Sequence, residues 1–87
     1  MVRQKVVVKN LSGLHLRPAG YLCKEAINFK CSVQFRFHDT YANAKSVLSV
    51  LSACVKCGDE VEFTCEGEDE EEALRTIISA IENGLGE

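Results

Sequence analysis

Apolar and polar positions trade places along this chain with two different periods, and each period predicts an element. Val6 and Val8, set against Lys5, Val7 and Lys9, predict a first strand with one buried face. Asn10-Leu11-Ser12-Gly13 breaks that pattern. From Arg17 the spacing becomes helical: Ala19, Leu22, Cys23, Ala26 and Ile27 form one stripe, and Pro18 suits a first helical turn, where an N–H has no intrahelical partner to lose. Val33, Phe35 and Phe37, alternating with Gln34, Arg36 and His38, predict a second strand with His38 on its outward face. His38-Asp39-Thr40 reads as a turn, and Tyr41-Ala42-Asn43-Ala44 as a short third strand.

Ser46 is a good N-cap for a short helix from Val47 to about Ala53, with Val47, Val50, Leu51 and Cys54 on one side. Gly58-Asp59 is a turn, and Val61, Phe63 and Cys65 against Glu60, Glu62, Thr64 and Glu66 predict a fourth strand. Ala73, Leu74, Ile77, Ile78 and Ile81 mark a last helix, with Asp69 to Glu72 at its positive end and Gly84 just past its close. The order is β-α-β-β-α-β-α. Strands that alternate this cleanly need covering on one face only. The expected fold is therefore α+β: an open-faced β-sandwich, a four-stranded antiparallel sheet with three helices on one face.

The 87 residues suit a single domain, 1–87, with a thin core. Hydrophobic residues make up 46% and charged ones 26%, which excludes a disordered tail. A net charge of −3 argues against direct nucleic-acid binding through a basic field. No apolar run approaches the roughly 20 residues that span a bilayer, and the first residues make no secretory signal, so no membrane insertion and a cytoplasmic location are expected. Five cysteines, an odd number, fit free thiols in a reducing compartment.

Gly13-Leu14-His15-Leu16-Arg17-Pro18-Ala19 joins the first strand to the first helix and carries the candidate chemistry. The backbone N–H groups of Leu16 and Arg17 fall in a first turn without intrahelical acceptors, and the helix dipole favours an anion there. Arg17 adds a fixed positive charge with several donors. A nucleophilic role for His15 needs the neutral ring. A phosphoryl group carried on that ring would find donors already around its oxygens. Read in isolation, His15 could equally be a cap or a surface residue.

The stretch Gly13-Leu14-His15-x-Arg17-Pro18-Ala19 resembles the phosphorylation motif of HPr, the histidine-containing phosphocarrier family of the bacterial sugar phosphotransferase system. Asn43-Ala44-Lys45-Ser46-Val47-Leu48-Ser49-Val50-Leu51-Ser52 is similar to the family's second signature. Val55-Lys56-x-Gly58-x-Glu60-Val61 and the closing Gly84-Leu85-Gly86-Glu87 resemble HPr proteins of Gram-positive bacteria. The likeness covers essentially the whole chain.

The resemblance implies a stoichiometric phosphoryl carrier, not an enzyme, without cofactor or metal. His15 would accept a phosphoryl group on Nδ1 (a pros-phosphohistidine) from enzyme I and pass it to enzyme IIA domains, with Arg17 steadying the group. Ser46 would be the site modified by an HPr kinase/phosphorylase where the organism has one, and the modified form would engage a catabolite-control transcription regulator. A phosphate of about −1.5 to −2 charges on an N-cap serine meets free helix N–H groups, and beside His15 it would oppose an acidic partner. Val47, Leu48 and Leu51 are candidate partner-docking residues, with Leu48 and Leu51 near the surface of so short a helix. A monomer is expected. The alternative is an HPr-like regulatory module acting mainly through Ser46; the presence of His15 with Arg17 weighs against it.

Two positions depart from the family pattern. Leu16 stands where a small or polar residue is usual and makes the contact surface bulkier. Cys54 stands where glycine is usual, which implies either backbone strain or a different helix ending. Cys54-x-x-Cys57 invites a zinc or thiol-redox reading, but Cys31, Cys65, His15 and His38 offer no matching paired spacing, and the pair lies at a helix end instead of a helix start.

Overall fold

A computed structural model describes all 87 residues. The elements run β1 (Val2–Val7), α1 (Leu16–Ala26), β2 (Ser32–Phe37), β3 (Thr40–Asn43), α2 (Val47–Ser52), β4 (Glu60–Glu66) and α3 (Glu70–Glu82). The strands form one antiparallel sheet in the order β1-β4-β2-β3. This is the βαββαβα open-faced sandwich that the alternation predicts.

Register explains how the alternation becomes a core. Val6 lies opposite Val61, Val33 opposite Cys65 and Phe35 opposite Phe63, so one face of the sheet is largely apolar, with Gln4 opposite Phe63 as a polar interruption in β1. The rings of Phe35 and Phe63 meet at 5.2 Å and 45°, a tilted contact that adds to their burial. Ala19, Leu22, Cys23 and Ala26 of α1 and Ala73, Leu74, Ile77, Ile78 and Ile81 of α3 close over that face. Burial pushes the Cys65 thiol up to about 12, which makes it an inert core residue.

Several boundary residues differ from the sequence-based expectation. Val8 lies beyond β1 yet is fully buried; its N–H donates to Asp59 C=O at 2.9 Å and its C=O accepts from Gly58 N–H at 2.7 Å. Ile27, the last position of the helical stripe, is 61% exposed, because α1 ends at Ala26 and Ile27 is its C-cap. The third strand starts at Thr40 and ends before Ala44. His38 sits in the β2–β3 turn with φ 54, not on the strand's outward face, and its ring lies 4.2 Å from that of Phe37.

Helix α2 buries only Val50 fully; Val47 and Leu51 are half-buried and Cys54 is exposed. The chain leaves α2 through Cys54 in the left-handed region, φ 57, with its N–H donating to Leu51 C=O at 3.2 Å. An L side chain there costs about 1–2 kcal/mol, partly offset in glycine by greater freedom of the unfolded chain. Cys54→Gly is therefore expected to stabilise the fold by up to about 1 kcal/mol, read as a higher urea midpoint with unchanged slope. A lower midpoint would contradict it.

Asp69, the N-cap of α3, makes no side-chain cap with its own helix. Its carboxylate accepts instead from the backbone N–H of Lys30 at 2.8 Å and of Cys31 at 2.9 Å, tying α3 to the entry of β2. The bond from Lys30, with that from Cys31, holds the Asp69 carboxyl below the usual carboxylate range. A carboxyl depressed by folding adds stability above its ordinary value, and that stability fades as pH falls through the folded value. Asp69→Asn should unfold at lower urea concentration than the native chain at pH 7, with the gap closing below about pH 4. A gap independent of pH would show that the charge contributes nothing.

Candidate functional site

His15 is the N-cap of α1, with extended backbone (φ −75, ψ −177), and its side chain makes no capping bond. The imidazole is exposed and both ring nitrogens are available. The first intrahelical bond runs from Ala19 N–H to His15 C=O at 2.8 Å. Pro18 has no N–H to offer, so the amides of Leu16 and Arg17 are the donors left free at the head of the helix. No protein acceptor occupies either one.

The preceding loop sets the ring in place. Asn10 is 5% exposed; its Nδ2 donates to Gly13 C=O at 2.7 Å, and Gly13 N–H donates back to Asn10 C=O at 3.0 Å. Leu14, 3% exposed, plugs into the core while its N–H donates to Val55 C=O at 2.9 Å. Gly13 has φ 66, and a Cβ there would stand 2.7 Å from both Lys56 Cα and Val55 O. Only glycine allows the two backbones so close. The loop is thus pinned to the chain after α2, and His15 emerges at a fixed point.

The imidazole opens onto a cleft of about 630 Å³ lined by Leu11, Ser12, His15, Leu16, Arg17, Pro18, Lys56, Cys57 and Glu87. Arg17 and Lys56 supply positive charge, and Leu16 (65% exposed) and Leu11 (92% exposed) give the rim an apolar border. Glu87 is its one acidic member: the carboxylate accepts from the Ser12 hydroxyl and, at 3.2 Å, from Asn10 Nδ2. These bonds, the Ser12 hydroxyl first and Asn10 next, hold the Glu87 carboxyl below the usual range, with Arg17 adding a smaller pull.

Ser46 caps α2: its Oγ accepts from Ser49 N–H at 3.2 Å. Ser46, Val47, Leu48 and Leu51 do not line the His15 cleft; they are the N-cap and residues of α2, which packs on α1. Leu48 is 80% exposed. Sequence reasoning missed Asn10, Ser12, Lys56 and Glu87. A polar residue buried as fully as Asn10 needs a built partner, but its sequence signal is only a turn. The Ser12–Glu87 contact spans 75 residues and leaves no local trace. All five cysteines are free thiols, and no group of three or more His, Cys, Asp or Glu side chains converges to hold a metal ion. No helix is long and apolar enough to cross a membrane.

A four-stranded open-faced sandwich with a free imidazole at the head of its first helix, next to an arginine, defines a class of small histidine-bearing phosphotransfer proteins. The family described as "PTS HPr component phosphorylation site" matches residues 2–83. The chain is 34% identical to the phosphocarrier protein HPr of Treponema pallidum over 87 residues, covering 100% of this chain and 99% of that one. It is 38% identical to the HPr-like protein Crh of Bacillus subtilis over 82 residues, 94% of this chain and 96% of Crh. The crystal structure of HPr from Thermoanaerobacter tengcongensis superposes with a TM-score of 0.96 at 34% identity, covering 100% of this chain and 98% of that one. The chain belongs to the HPr family of the phosphotransferase system.

Proposed function

We propose that this chain is a phosphocarrier that accepts a phosphoryl group on Nδ1 of His15 from phospho-enzyme I and delivers it to an enzyme IIA domain in the cytoplasm. One observation carries the reading: an exposed imidazole, uncapped, beside two free amides and the Arg17 guanidinium. The Nδ1 lone pair of the neutral ring attacks phosphorus, an N–P bond forms, and the bond from phosphorus to the donor breaks with its electron pair returning to the donor. The Leu16 and Arg17 amides and the guanidinium meet the phosphoryl oxygens, and the helix end contributes about 0.3–1 kcal/mol, enough to steady the group without trapping it. Delivery reverses the same exchange, so the chain is a stoichiometric relay and needs no cofactor.

Incubation with phosphoenolpyruvate and a catalytic amount of enzyme I tests this by intact mass. A gain of about 80 Da, one phosphoryl group, is expected; no gain in natively folded protein rejects the reading. Ser46, with Val47, Leu48 and Leu51 as the docking face on α2, is the site of regulation in this proposal. The likeness to Crh favours a second reading, a regulatory module working mainly through Ser46. Modification of Ser46 by an ATP-dependent HPr kinase, with no label at His15, would put that reading first.

A further inference from the structure

We propose that the free edge of β1 is a docking site for an extended segment of a partner protein in which acidic and apolar residues alternate, taken up as a fifth strand of the sheet. This edge shares no lining residue with the His15 cleft. β1 stands at one end of the strand order, so one of its sides has no neighbour. Val8 N–H donates to Asp59 C=O in continuation of the β1–β4 ladder. The alternation of an antiparallel pair then turns the N–H and C=O of Arg3, Lys5 and Val7 to the open side. Helix α3 stops short of covering that side. Gln4 points to the helix face and is nevertheless exposed, in a groove of about 590 Å³ whose walls include Val2, Leu74 and Ile78. The Met1 amino group, 3.0 Å from the Glu70 carboxylate, ties the head of β1 to the head of α3.

The side chains of β1 set the chemistry of the occupant. Arg3 and Lys5 are exposed on the open face of the sheet, while Val2, Gln4 and Val6 lie on the face toward α3. An added antiparallel strand places one residue directly opposite each of these. Acidic residues fit opposite Arg3 and Lys5, and apolar ones fit opposite Val2 and Gln4, beside Leu74 and Ile78. The other side of β1 already holds a strand of this kind: β4 sets Glu62 opposite Lys5, Glu60 opposite Val7 and Val61 opposite Val6. A second copy of β1 does not fit. Two β1 edges paired about a two-fold axis at Arg3, Gln4 or Lys5 set Arg3 against Arg3, Arg3 against Lys5, or Lys5 against Lys5, and like charges directly opposite are destabilising.

A hexapeptide alternating glutamate and valine, blocked at both ends, tests this against the native chain. On its addition, hydrogen exchange followed by NMR should slow at the amides of Arg3, Lys5 and Val7. Exchange at Gln4 and Val6, whose amides face β4, should stay as it was. Lys5→Glu should bind that peptide about threefold to tenfold more weakly than the native chain does, and a lysine–valine peptide more tightly. The acidic peptide N-methylated at its glutamates keeps its charge but loses the amides that pair with the edge, and it should not bind. No binding to the folded native chain, binding without slowed exchange at the three amides, or equal affinity for the acidic and basic peptides overturns the proposal. So does slowed exchange at those amides when the chain alone is concentrated, which would give the edge to a second copy.

Discussion

His15→Ala is expected to show no gain in mass after incubation with phosphoenolpyruvate and enzyme I, under conditions that load the native chain completely. The loss should be total, since the proposed nucleophile is this ring and no second imidazole lines the cleft. His38, the other histidine, stands in the β2–β3 turn against Phe37. The fold should be indifferent to the change: His15 is exposed and its side chain makes no cap, so the stability cost stays within about 0.5 kcal/mol. That separates lost chemistry from lost structure. Arg17→Ala should be graded instead, slowing transfer on the order of 10²-fold, since it removes donors from the phosphoryl oxygens but leaves the nucleophile. A folded His15→Ala protein that still gains about 80 Da would place the acceptor elsewhere.

Gly13→Ala should have the largest effect on stability of any change beside the site. The methyl group meets a double penalty. A left-handed backbone costs an L residue about 1–2 kcal/mol, and the added Cβ would stand 2.7 Å from the Lys56 and Val55 backbone. Backbone atoms cannot swing aside as a flexible side chain can, so the loop or the segment after α2 must shift. Together these predict a loss of roughly 2–4 kcal/mol, seen as a lower urea midpoint. Phosphoryl acceptance should slow in the folded fraction as well, because Leu14 loses its register with Val55 and the imbalance passes directly to His15. A midpoint equal to that of the native chain would mean that the loop is not pinned at this contact.

The elements were readable wherever one face of a strand or helix had to be dry. Val33, Phe35, Val61, Phe63 and Cys65 alternate with polar residues because the sheet is covered on one side only. Helix starts were readable too, since the physics of unpaired amides is local: His15, Arg17 and Pro18 announce one and Ser46 another. Endings were harder. Ile27 fits the apolar stripe of α1, yet the helix stops before burying it; Cys54 fits that of α2, yet the backbone turns left-handed there. Neither event has a hydrophobic signature. The cleft around His15 was legible only on its near side. Lys56 and Cys57 reach it through the close approach at Gly13, and Glu87 through contacts across the length of the chain, so no spacing rule reports them.

Covering one side of the sheet leaves the other as a bare wall. Arg3, Lys5, Gln34, Arg36, Glu62 and Thr64 point away from the helices, and opposite charges face each other across strands, as with Arg36 and Glu62 at 3.8 Å. That wall is a natural handle. A dye, spin probe or solid support fastened to it would follow the protein through successive encounters without obstructing the surface where α1 and α2 sit.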